Sequence, residues 1–407
     1  MNKKILHITM SDDHGGAAIA AYRLHDSMLL NGIDSKMLVV EKNRTDESIH
    51  TFYNNEIGMY FYKFKLYCLG NKNYIKKDNI GFYSNFWLGS PIKNISLINE
   101  ADVIYIHWIC KGVLSYKNIL YLMKKGKKVI WMMHDMFPVT GGCHHSFDCV
   151  QYTNDCLDCP FWGKRRKAYN QLKSKKSLLR NQNLYWIAPS KWLFNCAINS
   201  SAVNNERLFL IPNQMSKNFI FLDKNFSRKA LGLKNEKKYI LYGADGIINN
   251  PYKGFNYFLD SLKKLYSILD SPKDTIEILI FGTSFNEKLK IDIPFSTTFL
   301  GEVKDERTMN LIYNSANLMV ITSIAENYPL TVQESILSGT PVVGFDVGGI
   351  SDIVDSLEKG KLVNPFDTNA LSLEIKNYLY IKTSININSE KLYIETINKH
   401  KKLIFDL

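Results

Sequence analysis

The sequence lacks the features that would settle its class at a glance. It holds no apolar run near the ~18 residues that a membrane-spanning helix requires, so a spanning protein is not expected. Two lysines near the start precede only a short strand-like run at 5–9. There is no longer apolar region ending in small residues, as a secretory signal would have, and a cytosolic protein is expected. Cysteine is scarce and odd in number, seven in 407 residues, which argues against a disulfide framework. Residues 163–180 contain no acid, yet they hold Lys164, Arg165, Arg166, Lys167, Lys173, Lys175, Lys176 and Arg180. No helix-turn-helix, zinc-finger or RNA-recognition signature accompanies that charge, so nucleic acid is not the expected partner.

What is present is ordinary globular material. Apolar residues make up 45% and charged residues 22%, which excludes a disordered or fibrous chain. The length suits two α/β domains. The net charge is 51 − 39 = +12, which favours an anionic partner: a phosphorylated small molecule, acidic lipid or nucleic acid. A second cationic cluster lies at Lys124, Lys125, Lys127 and Lys128. Both clusters fit either a solvated face or a surface that docks on anionic lipid.

Strand-like and helix-like segments alternate along the chain. Strands are expected at 5–9, 35–40, 103–107, 128–133, 185–188 and 208–211, with helices at 17–30 and 112–125. After a polar segment at 215–235 a second series follows. It has strands at 239–243, 276–281, 318–321 and 341–343, and helices at 254–269, 305–314 and 330–338. This alternation implies βαβ units on parallel sheets. The expected organisation is an N-terminal Rossmann-like domain over 1–212, a second over 213–388, and a C-terminal helix over 389–407 that packs back toward the first. The fold class is α/β, with two doubly wound domains facing a central cleft and ligands at the carboxyl ends of the strands.

The densest local signal spans 323–350. Glu326 sits in a loop after a strand and Glu334 eight residues on, in the second turn of a helix beginning near Leu330 and Thr331. Gly339, Pro341-Val342-Val343 and Gly348-Gly349-Ile350 follow. The start of that helix offers free N–H groups and a positive dipole end, which suit a phosphate. A carboxylate farther along can accept the two vicinal hydroxyls of a ribose. Glutamates at this spacing also occur as plain solvated helix charges.

With these words in order, the chain resembles the retaining family 4 glycosyltransferases of the GT-B fold. Gly15-Gly16 after the first strand, His134-Asp135 after a later one and Lys253-Gly254 after the strand at 239–243 extend the resemblance over some 340 residues. The stretch 133–144 further resembles a subgroup concerned with bacterial exopolysaccharide and colanic-acid-type synthesis.

The resemblance implies a set of roles. Gly15 and Gly16 let the backbone approach a donor diphosphate. Lys253 neutralises the departing nucleotide. Leu330 and Thr331 offer helix N-terminal amides, and Glu334 binds the ribose. Glu326 stands beside the donor sugar and its reacting carbon, and His134 hydrogen-bonds that sugar. His134, Glu326 and Lys253 are the catalytic set. No metal is implied in the donor site and no cofactor is required; the donor substrate is a nucleotide-diphosphate-sugar. The partners implied are a glycan or polyprenyl-diphosphate-linked acceptor and an anionic membrane surface at the inner face of the cell membrane. A nucleotide-sugar epimerase or phosphorylase of the same architecture, or a basic nucleic-acid-binding protein, are the alternatives.

Two features depart from that pattern or stand apart from it. The arginine that many members carry just before the Lys-Gly pair is absent, since 247–252 reads Ile-Ile-Asn-Asn-Pro-Tyr; Arg23 and Lys191 are candidate replacements. Cys143, Cys149, Cys156 and Cys159, with His144 and His145, fall in an insertion at about 136–163. They fit a structural zinc, free thiols packing the loop, or a disulfide pair.

Overall fold

The computed structural model describes residues 3–53, 55–68, 82–161, 166–243, 250–270, 273–283, 292–381, 385 and 387–407. The chain divides into two compact units, Met1–Gln214 with Ile394–Leu407, and Met215–Tyr393.

In the first unit, β1 (Lys4–Ser11), α1 (Gly16–Leu30), β2 (Asp34–Glu41), β3 (Ile49–Thr51), α2 (Glu56–Cys68) and α3 (Ser96–Glu100) come first. Then follow β4 (Val103–Ile106), α4 (Tyr116–Lys124), β5 (Lys128–Met132), α5 (Lys167–Leu178), β6 (Leu184–Ala188), α6 (Lys191–Ile198) and β7 (Leu208–Leu210). Among the described residues the strands form one parallel sheet in the order β3-β2-β1-β4-β5-β6-β7. A parallel sheet covered on both faces needs apolar residues throughout rather than alternation. Thus β4 reads Val-Ile-Tyr-Ile and is buried at every position. Trp131 on β5 and Trp186 on β6 are register partners, and both are buried.

The second unit contains α7 (Lys224–Ala230), β8 (Lys238–Gly243), α8 (Phe255–Ile268), β9 (Ile276–Phe281), β10 (Ser296–Gly301) and α9 (Glu306–Ser315). It continues with β11 (Leu318–Ile321), α10 (Leu330–Leu337), β12 (Val342–Phe345), β13 (Gly360–Val363), α11 (Thr368–Tyr380) and the first residues of α12 (Ser389–Asp406). Its parallel sheet runs β10-β9-β8-β11-β12-β13. In both sheets the order reverses beside the first strand, between β1 and β4 and between β8 and β11. That is the switch point at which doubly wound sheets take ligands.

Two local expectations are corrected, and one helix is added. The helix expected over 112–125 begins only at Tyr116. Lys111 and Gly112 have φ of 54° and 77°, and Ser115 starts the helix with a reciprocal cap to Asn118. The polar segment at 215–235 contains α7, whose Asp223 caps it at Phe226 N. Arg228 of that helix is buried and donates to Ser315 O, Asn235 O and Asn317 Oδ1, which is why a polar stretch packs. Helix α2 was hidden by its aromatic composition, since Ile57, Tyr60, Phe61, Phe64 and Tyr67 stay exposed and only Tyr62 is buried.

The cysteines are free thiols, which removes the disulfide pair. Among the described residues no group of three or more His, Cys, Asp or Glu is arranged to hold a metal, so the zinc expectation is not met there. His144 is committed elsewhere: its Nδ1 lies 2.6 Å from Asp135 Oδ2 and its Nε2 2.8 Å from Ser84 Oγ. Burial, with the neighbouring thiols adding to it, raises the Cys143 thiol and pushes Cys156 up to about 11.

The basic run also changes meaning. Lys175 is buried, donating to Phe137 O and to Thr140 O at 2.9 Å, with its ammonium 3.8 Å from the Phe137 ring centre. Arg166, Lys167, Lys173 and Arg180 are exposed, and Lys164 and Arg165 lie outside the described residues.

Candidate functional site

In the second unit the site residues gather at the ends of β8 and β11. Strand β8 ends in Tyr242 and Gly243, and a short 3-10 turn follows at Pro251–Lys253. Tyr242 OH donates to Lys253 O at 2.8 Å, and Thr322, just beyond β11, donates to Gly254 O at 2.9 Å. Ile324 N donates to Tyr252 O at 2.8 Å. The turn that carries Lys253 is therefore fastened to β11 rather than left as a free loop. Gly254 has φ +65°, and a Cβ there would come within 1.9 Å of Thr322 O, so the Lys-Gly pair needs its glycine for close approach to β11.

Lys253 Nζ reaches Glu326 Oε1 at 2.7 Å. The side chains are 25% and 13% exposed, so the pair is largely withdrawn from water yet reachable. The sequence reading gave these two residues separate partners; the structure brings them together. A small pocket opens there, lined by Gly243, Lys253, Thr322, Ser323, Glu326 and Thr331.

Helix α10 starts beside it with Pro329 at the N-cap, where no side chain satisfies the first amides. Leu330 and Thr331 are its first two residues. Glu334, in the second turn, is 8% exposed, and its Oε2 accepts from Tyr313 OH at 2.9 Å. Tyr242, Thr322 and Tyr313 were not found from the sequence. An isolated Tyr or Thr carries no spacing signal, and their roles come from contacts across the sheet.

In the first unit, Gly15 caps α1 with φ +85° and Gly16 is its first residue. A Cβ at either would meet no protein atom within 4 Å, so the backbone here is open. His134 and Asp135 follow β5. Asp135 is held by His144 and by Phe137 N, which donates to it at 2.7 Å; these contacts keep its carboxyl below the usual range. His134 Nε2 lies 3.0 Å from His107 Nδ1, and burial lowers His134 to about 4, so it is neutral at physiological pH. Arg23 is buried in α1 and Lys191 opens α6 at the surface. The segment 247–249, which lacks the expected arginine, lies outside the described residues.

Residues 238–380 match the family model described as "Glycosyl transferases group 1". A putative colanic acid biosynthesis glycosyl transferase of Escherichia coli, WcaC, is 23% identical over 83% of this chain and 82% of its own length. Protein CapJ of Staphylococcus aureus is 21% identical over 85% and 94%. Among solved structures, HepE of Anabaena, crystallised with UDP and glucose, superposes with a TM-score of 0.65 at 15% identity, covering 100% of both chains. Two parallel-sheet Rossmann-like units with GT-B neighbours, together with the matched domain, define a glycosyltransferase of the GT-B fold. WcaC and CapJ are similar to this chain along most of its length, and LpsB of Rhizobium meliloti, a lipopolysaccharide core biosynthesis mannosyltransferase, is 29% identical over 37% of this chain and 43% of its own length.

Proposed function

We propose that the protein is a retaining glycosyltransferase that moves a sugar from a nucleotide-diphosphate-sugar to a glycan or lipid-linked glycan in bacterial surface polysaccharide synthesis. The observation that carries this is the Lys253–Glu326 pair, 2.7 Å apart, beside the amino end of α10 at the β8/β11 switch point.

Breaking the anomeric C–O bond leaves positive charge on the sugar ring and negative charge on the diphosphate. Lys253 is a compact cation for the second, and the uncapped amides at Leu330 and Thr331 add to it. When a diphosphate engages Lys253, Glu326 is released from neutralising it and stands as a carboxylate toward the sugar. Glu334, oriented by Tyr313, accepts the ribose hydroxyls. Gly15, Gly16 and His134 of the first unit are assigned to the diphosphate and the sugar. The acceptor hydroxyl attacks the anomeric carbon from the face the phosphate leaves, and its proton passes to the departing phosphate oxygen. No metal and no cofactor takes part in this scheme.

Among the described residues no helix is long and apolar enough to cross a membrane. A peripheral contact is supported by α2, whose Ile57, Tyr60, Phe61, Phe64 and Tyr67 share one exposed face beside Lys63 and Lys65, and by the exposed cations of α5. Liposome flotation should depend on anionic lipid and weaken with salt; equal binding to neutral vesicles would refute the charge contribution.

The deciding experiment is a thermal-shift panel of nucleoside diphosphates and nucleotide sugars, followed by product analysis with the sugar that binds. A ligand at 100 times its dissociation constant adds about 2.7 kcal/mol of stability. Retention predicts a product with the anomeric configuration of the donor. An inverted product would overturn the mechanism, and no response across the panel would overturn the donor class.

A further inference from the structure

Three imidazoles form a line across one face of the first sheet. His7 on β1 and Tyr105 on β4 are register partners, and His107 follows two residues on, so strand alternation puts all three on the same face. His7 Nδ1 lies 2.9 Å from His107 Nε2, and His107 Nδ1 lies 3.0 Å from His134 Nε2. Successive ring planes differ by 23° and 24°, close enough to coplanar for in-line N–H···N bonds. At the inner end His7 Nε2 stands 3.4 Å from Met28 Sδ of α1.

The sulfur sets a direction. A thioether has lone pairs and no proton, so it can only accept. His7 therefore carries its proton on Nε2 and presents the lone pair of Nδ1. A neutral imidazole has one donor and one acceptor nitrogen, and so the choice is handed along the line. His107 donates from Nε2 to His7 Nδ1. His134 donates from Nε2 to His107 Nδ1. His134 Nδ1 is left without a proton, and it makes no hydrogen bond to any described residue.

This order of donors holds only while the rings are neutral, because an imidazolium at His107 would donate both ways and reverse His134. His7 and His107 are 0% and 3% exposed, and burial holds both well below the usual histidine range. The groups that act on the line electrostatically are His25 and His400, themselves lowered to about 4 and about 3, and Asp135 beside His134. Among the described residues no carboxylate is hydrogen-bonded to any of the three rings.

We propose that Met28, His7 and His107 are positioning residues that hold His134 as its Nε2-protonated tautomer, so that Nδ1 is a fixed hydrogen-bond acceptor. The consequence for function rests on the role given above to His134 at the donor sugar. A bare Nδ1 takes the O–H of a sugar hydroxyl. It disfavours a phosphate oxygen, whose lone pairs would meet its own.

Nitrogen-15 NMR of the histidine rings at neutral pH reads the tautomers directly, with the His134 signal assigned by its loss in His134→Gln. All three rings should be protonated on Nε2. His134 protonated on Nδ1 in the unaltered protein would overturn the relay, and that measurement needs no variant to fold. Met28→Leu keeps the volume and removes the acceptor, so both tautomers of His134 should then be populated. Equal populations would raise the donor KM roughly twofold with kcat held, since half the molecules are competent. An unchanged His134 tautomer in a folded Met28→Leu protein would also overturn the proposal. The ring spectrum is read without donor, so it decides the relay separately from the sugar contact, which unchanged turnover in His134→Ala would deny.

Discussion

Gly348 lies against the backbone of Glu326: with φ +57°, a Cβ at Gly348 would come within 1.7 Å of Glu326 O. Two words of one sequence motif, the first glutamate and the glycine pair, are thus a single packed contact, and the glycine fixes where the Glu326 loop runs.

Gly348→Ala should therefore destabilise the second unit by about 2 kcal/mol or more, from both strain at positive φ and the clash. Gly16→Ala should behave oppositely. Its Cβ meets no protein atom and it opens a helix, so stability should stay within about 1 kcal/mol of the starting protein, while the donor KM rises. Urea unfolding measured beside donor kinetics separates the two; a stability loss of equal size at both glycines would contradict the distinction.

Lys253→Ala and Glu326→Gln should each lower kcat by about 10²–10³, the usual size of losing one electrostatic contact to a transition state. Because the pair is mostly withdrawn from water, each also leaves a charge without its partner, costing about 1–3 kcal/mol of stability. Kinetics beside calorimetry would test this, and turnover retained within a few-fold in both variants would disprove the assignment.

Tyr313→Phe removes the hydroxyl that donates to Glu334 Oε2. The expected effect is about 1–3 kcal/mol of lost stability from the weakened buried carboxylate, with poorer nucleotide binding and little change in kcat. Isothermal titration with nucleoside diphosphate checks it; a kcat collapse at normal affinity would point to a different role for Glu334.

The first unit should be acid-sensitive. Burial depresses His7, His25, His107, His134 and His400 below the ordinary value, His25 and His134 to about 4 and His400 to about 3. The unfolded chain then binds protons that the folded chain refuses, so stability is complete above pH ~6.5 and falls as the pH drops toward 4. Unfolding at pH 5 should take up about five protons from these groups. His400→Gln should lower that uptake by about one, as measured from the pH dependence of urea midpoints; an uptake near zero would mean the rings are charged when folded.

Much of this was legible in the residues. The apolar runs at 103–106 and 278–281 are strands because a sheet covered on both faces buries so continuous a stretch. Pro329 before Leu330 and Gly254 after Lys253 mark the helix start and the turn by backbone chemistry alone. Helix α7 was not legible, because its burial depends on Arg228 finding three oxygen partners on distant segments. The burial of Lys175 within a basic run is illegible for the same reason: its carbonyl partners lie 35 and 38 residues away.

By itself the sequence determined the alternation of elements, the two sheets and the identity of the charged residues, since those follow from local periodicity and backbone preference. Only the tertiary structure decided that Lys253 meets Glu326, that Tyr313 holds Glu334, and that His107 lies between His7 and His134. Such pairings depend on which side chains the folded sheets bring within about 3 Å of one another, and no spacing along the chain encodes that distance.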